Sequence, residues 1–79
     1  KTGPLRLTLL ALKGGAVIKE HHASDPLSIH LLSGETEIAI AEQEYHLTAG
    51  EALVLEAEVL HGVRAVTDSI ILLTLAVTQ

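Results

Sequence analysis

Residues 49–65 read Ala-Gly-Glu-Ala-Leu-Val-Leu-Glu-Ala-Glu-Val-Leu-His-Gly-Val-Arg-Ala. Ala49-Gly50 is a turn signal, and beyond it Leu53 and Leu55 share one face of an extended segment. After Glu56–Leu60 the alternation resumes: His61, Val63 and Ala65 on one face, Gly62 and Arg64 on the other. A period of two is the mark of a half-buried strand. Upstream, Glu35–Glu42 repeats the pattern, with Thr36, Ile38 and Ile40 opposed to Glu35, Glu37 and Ala39. Further turn marks stand at Gly3-Pro4, Gly14-Gly15, Ser24-Asp25-Pro26, Ser33-Gly34, Glu42-Gln43-Glu44, Gly62 and Thr67-Asp68-Ser69. Marks spaced by about 8–12 residues predict an all-β sandwich or barrel, here of about eight strands in one domain spanning residues 1–79.

Two segments break the alternation. Leu5–Leu12 and Ile70–Val77 are apolar on both faces, and such a strand has to be covered twice, once by the barrel and once from outside. Leu5, Leu9 and Leu12 also carry helical spacing, but strand is the favoured reading. A chain of 79 residues leaves little stability to spare, so the expected outer cover is a second copy of the chain, a homodimer through the terminal strands.

Composition narrows the function. The hydrophobic fraction is 48%, and Tyr45 is the sole aromatic residue; Cys, Met, Phe and Trp are absent. Without cysteine there is no disulfide, thiolate metal site or thiol nucleophile. Net charge is −5 with five scattered Lys and Arg, so there is neither a basic stripe for phosphates nor an aromatic platform for bases; nucleic acid is not an expected partner. Charges interrupt every apolar run before the roughly 18 residues of a membrane span, and no membrane association is expected. No signal-peptide pattern is visible, and a cytoplasmic location is expected. The first residue is Lys1 rather than Met, which leaves room for an upstream segment.

Five histidines, at 21, 22, 30, 46 and 61, are the chemical signal. His21 and His22 are neighbours, so on a strand only one of them faces the core; the other reads as a solvated residue. His46 lies between Tyr45 and Leu47, which face inward together, and reads as surface. His30 falls on the outward face unless a bulge turns it in. Glu56 and Glu58 are potential acid/base partners for His61, against the plainer reading of a solvated loop. Tyr45 is more readily a core filler than a catalytic phenol.

The spacing of these residues resembles the cupins. Gly15, five residues, His21, and then Gly34 after Ser28-Ile29-His30-Leu31-Leu32 are similar to the first cupin signature. Gly50, ten residues and His61 are similar to the second, with fifteen residues between Gly34 and Gly50. The resemblance runs from about Leu9 to Ala76. It implies a double-stranded β-helix, or jelly-roll barrel, commonly dimeric, with a metal held by four side chains. The departures lie in the ligands. His21 and His61 occupy two of the four metal-ligand positions, while Ala23 and Leu27 stand where the family has its second His and its Glu. Ala65 stands in place of the second motif's Asn, and Glu56 and Glu58 replace its Pro and Gly.

Three functional expectations follow. The first is a small-molecule-binding barrel of undetermined catalytic character, its pocket lined by His21, His61, Tyr45, Leu27 and Ile29. The second is a metal-dependent cupin enzyme, an oxygenase or isomerase, with Fe, Mn, Ni or Zn on His21, His61 and a third ligand from His22 or His30. The third is a structural or designed scaffold with no evolved ligand.

Overall fold

The computed structural model describes residues 5–77; the Gly3-Pro4 mark lies outside them. Eight strands succeed one another: β1 (Leu5–Leu12), β2 (Val17–His21), β3 (Leu27–Ser33), β4 (Glu35–Ile40), β5 (Gln43–Thr48), β6 (Ala52–Leu55), β7 (His61–Ala65) and β8 (Ser69–Ala76). They form two four-stranded sheets with the orders β1-β8-β3-β6 and β2-β7-β4-β5. Every pairing is antiparallel, and the two sheets form the jelly-roll sandwich expected from the sequence. Among the described residues no helix is long and apolar enough to cross a membrane. Leu5–Leu12 is a strand and not a helix, in agreement with the favoured expectation.

The inward faces meet in an aliphatic core. Leu27, Ile29 and Leu31 of β3 alternate with the partly exposed Ser28 and His30, and they pack with Ile38, Leu47, Leu55, Val63 and Ile71. Alternation places these residues: a strand with one apolar face can bury only that face, and a one-residue slip would expose the whole set.

Two turn assignments need correction. The β4–β5 turn falls on Ala41-Glu42, with Ala41 at φ 55°, and Gln43 and Glu44 already pair in β5. Gly62 is not a turn residue; it lies within β7, where a Cβ would come within 3.3 Å of the Ile18 carbonyl oxygen.

At one end of the sandwich, three loops are tied together. Gly14 N–H donates to Asp68 Oδ1 (2.8 Å), Glu35 N–H to Thr67 Oγ1 (3.0 Å), and Ser69 Oγ to the carbonyl oxygens of Glu35 (3.1 Å) and Thr67 (2.8 Å). These bonds join the β1–β2, β3–β4 and β7–β8 connections. The β5–β6 turn has its own clasp, in which the Glu51 carboxylate accepts from Thr48 N–H (2.8 Å) and Thr48 Oγ1 (3.2 Å). The backbone bond, and then the hydroxyl, hold the Glu51 carboxyl below its ordinary value. A group whose pKa falls on folding stabilises the fold above its unfolded value and ceases to do so as pH falls through the folded value. Thermal melts of Glu51→Gln are therefore expected to show a small deficit against the parent at pH 7. The two melting temperatures converge once the pH passes below the lowered value.

A paired-histidine cavity between the sheets

The ends of β2 and β7 bring His21 opposite His61. Regular alternation would not place His21 inward, because Ile18, which faces the core, lies three residues before it. The register between the two strands shifts at this point. Ile18 pairs with Val63 and His21 with His61, so three steps on β2 match two on β7. This is a β-bulge. The extra residue reverses the phase of β2, and Ile18 and His21 both turn toward the interior. Gly62 sits opposite the bulge, where its missing side chain leaves room for the displaced Glu20.

The imidazole rings stand with centroids 4.3 Å apart, tilted by 55°. Each is fastened in the same way. His21 Nδ1 is 2.9 Å from the Lys19 carbonyl oxygen, and His61 Nδ1 is 3.1 Å from that of Val59. A carbonyl oxygen only accepts, so both Nδ1 atoms carry the proton and donate it. In a neutral imidazole this leaves the lone pair on Nε2. His61 is buried at 4% exposure, whereas His21 is on the exposed side of the pair. The two rings form the polar end of a cavity of about 190 Å³ whose other walls are Leu10, Ile18, Ile29, Val63, Ile71 and Leu73.

Of the five residues expected in the pocket, His21, His61 and Ile29 line this cavity, and Leu27 and Tyr45 do not. Leu27 is buried two residues before Ile29, at the start of β3, between its partners Leu55 and Leu75. Tyr45 shares the inward side with Leu47, but β5 is an edge strand; its ring is 39% exposed and its hydroxyl donates to Gln43 Oε1 (2.8 Å). The walls that went unassigned are Leu10, Ile18, Val63, Ile71 and Leu73. Leu10 and Ile71 lie on strands apolar on both faces, where no phase can be read. Ile18 was hidden by the bulge.

The other histidines stand apart from the pair. His22 Nε2 is 3.4 Å from Glu58 Oε1 at the surface. His30 lies on the outward side of β3 between Leu72 and Ala52. His46 Nε2 is 2.8 Å from Glu35 Oε2 on the outside of the second sheet. Glu56 is exposed, and Glu58 engages His22 rather than His61. Among the described residues no group of three His, Cys, Asp or Glu side chains is placed to hold a metal ion. The donor set at the cavity is two imidazoles, one fewer than a catalytic zinc centre takes and two fewer than a structural one. It does not fit the divalent-metal centre that the full cupin motifs would build, since the positions that would complete it hold Ala23 and Leu27.

Comparison with known proteins agrees with this architecture. The cupin domain family matches residues 8–78. No curated protein matches the chain significantly. Among solved structures, a conserved protein of unknown function from Streptococcus pyogenes is similar at 26% identity and a TM-score of 0.90, over 100% of this chain and 69% of that one. An RmlC-like cupin protein from Desulfovibrio desulfuricans has 29% identity and a TM-score of 0.86, over 96% and 74% of the two chains. Salicylate 1,2-dioxygenase from Pseudoaminobacter salicylatoxidans, at 15% identity and a TM-score of 0.88 over 92% and 20%, shares the fold alone. With the family signature spanning residues 8–78 and the jelly roll that carries it, the chain belongs to the cupin domain family.

Proposed function

We propose that this cupin domain binds a small, mostly apolar organic molecule in the cavity between its sheets, anchored by His21 and His61 in place of a metal. The observation that carries this reading is the pairing of two oriented imidazoles at one end of an otherwise aliphatic cavity. Ligand sites are generally concave and apolar, with a few placed polar groups that fix orientation. A volume of about 190 Å³ exceeds the roughly 150 Å³ of an engineered cavity that takes up benzene, so a ligand of about one ring is the right size. Binding is favoured over turnover because general acid–base chemistry wants a partner for His61, and among the described residues Glu56 is exposed and Glu58 pairs with His22 rather than with His61.

Methyl-resolved NMR tests the proposal with a panel of ring-sized fragments. Saturable shifts are expected at the methyls of Ile29, Ile71 and Leu73, and affinity should fall at least tenfold in the His21→Ala/His61→Ala double variant. That variant should keep a cooperative melt, because the loop ties sit at the opposite end of the sandwich. Shifts confined to the outer face of the sheet formed by β2, β7, β4 and β5 would overturn the proposal.

The same proposal includes a second copy of the chain seated on the outer face of the sheet formed by β1, β8, β3 and β6. In support, that face carries exposed aliphatic side chains and no Asp, Glu, Lys or Arg in its central rows, where its counterpart on the other sheet is charged. Leu7 and Leu9 are 63% and 65% exposed, and Val54 is 77% exposed.

A further inference from the structure

We infer that the ligand of the paired-histidine cavity is a neutral, ring-sized compound bearing a hydroxyl group, of the phenol or cyclic-alcohol class, which donates its proton to an imidazole Nε2. The inference rests on the binding role proposed above and adds the chemistry of the ligand.

The two rings present the same face of their chemistry. Lys19 and Val59 supply the carbonyl oxygens that hold the protons on Nδ1 of His21 and His61, so neutral rings keep both Nε2 atoms as acceptors. No protein donor to either Nε2 is present among the described residues; the remaining cavity walls are Leu, Ile and Val side chains, which offer none. A cavity with acceptors and no donors selects a ligand that brings the donor. A benzene-like molecule would fill the apolar volume and leave the buried acceptor on His61 unmatched. A carboxylate has acceptors only, and it would face two lone pairs while giving up its hydration to an aliphatic wall. An ammonium group could donate, but it would bury a full charge among aliphatic side chains. A hydroxyl on a ring meets each demand. Its oxygen lies at the imidazole end, and its ring lies against Ile29, Ile71 and Leu73.

The experiment compares phenol, benzene, benzoate and benzylamine, each titrated into the uniformly ¹⁵N-labelled chain. Methyl shifts report occupancy, and long-range ¹H–¹⁵N spectra report the imidazole nitrogens. Phenol is expected to bind about five- to tenfold more tightly than benzene, the factor of one net hydrogen bond. It should move the Nε2 resonance of His21 or His61 and leave both Nδ1 resonances in place. Benzoate and benzylamine should bind more weakly than phenol. Benzene binding as tightly as phenol, with no Nε2 response, would overturn the hydroxyl assignment and leave the cavity reading standing. Tighter binding of benzoate or benzylamine would overturn it in favour of a charged ligand. Failure of all four to produce saturable methyl shifts would overturn the hydroxyl assignment and the cavity reading together.

Discussion

Replacing Gly34 with alanine is expected to lower the melting temperature of the domain by about 10 °C or more. Gly34 sits at φ 92° between β3 and β4, and a Cβ there would lie 2.3 Å from the Asp68 carbonyl oxygen, 2.5 Å from Ser69 Oγ and 2.9 Å from Ser69 Cα. Two of the three are backbone atoms, in a segment fixed by Asp68 to Gly14 and by Ser69 to Glu35 and Thr67, so nothing nearby can move aside cheaply. The left-handed backbone costs a side-chain-bearing residue about 1–3 kcal/mol, and forcing a methyl group into a packed site adds about 1–3 kcal/mol. A sum of about 2–6 kcal/mol is a large part of the roughly 5–15 kcal/mol that holds a domain together. At about 4–8 °C per kcal/mol, the melting temperature should fall by more than about 10 °C. Gly50→Ala is the control. Gly50 has a similar φ of 94° with nothing within 4 Å of a Cβ, so only the backbone term of about 1–3 kcal/mol applies and the loss should be about half that of Gly34→Ala. Equal melting temperatures for the two variants would show that the clash at Asp68 is absent.

The second large effect concerns assembly. The two sheets differ on their outer faces, although they share one chain and one solvent. The outer side of β2-β7-β4-β5 carries Glu35, Glu37, Glu44, His46 and Arg64, including the Arg64–Glu37 ion pair, as a sheet face meeting water should. The outer rows of β1-β8-β3-β6 run Leu9-Leu72-His30-Ala52 and Leu7-Thr74-Ser28-Val54, with no Asp, Glu, Lys or Arg. Leu7 and Leu9 lie at one edge of this face and Val54 at the other, with uncharged side chains between them. An isologous dimer would place such a face against itself about a twofold axis. Light scattering at micromolar concentration should give twice the chain mass. Leu7→Lys/Leu9→Lys should give the chain mass, with association weakened about a thousandfold, as expected from losing two leucines whose burial is worth about 2 kcal/mol each. Val17→Lys, on the outside of the other sheet, should leave the mass unchanged. A parent protein of single-chain mass at these concentrations would contradict the dimer.

How much of this was legible in the sequence depended on phase. Where apolar and polar residues alternate, as in Thr36-Glu37-Ile38 and His61-Gly62-Val63, the strand and its inward face could be read directly, and the structure keeps both. Motif spacing brought His21 and His61 together as candidates, and the rings do meet. The rest was lost where the chain carries no phase or shifts it. Leu10, Ile71 and Leu73 sit on strands apolar on both sides, so their inward direction depends on pairing with β3 and β8 rather than on their neighbours. The bulge at His21 adds one residue to β2 without a Gly or Pro to announce it; the only trace is Gly62, on the opposite strand, which reads in isolation as a turn. The phase of β5 points Tyr45 toward the pocket, but an edge strand leaves that side open to water.

On the proposed binding role, His21 and His61 form an organic-ligand anchor rather than the remnant of a working metal centre. The most direct test is metal content by mass spectrometry on untagged protein, incubated with Fe, Mn, Ni or Zn salts and then dialysed, beside the His21→Ala/His61→Ala variant. Two imidazoles without a third ligand should retain far less than one ion per chain, with no difference between parent and variant. Near-stoichiometric metal in the parent, lost in the variant, would contradict the account and make the pair part of a metal site.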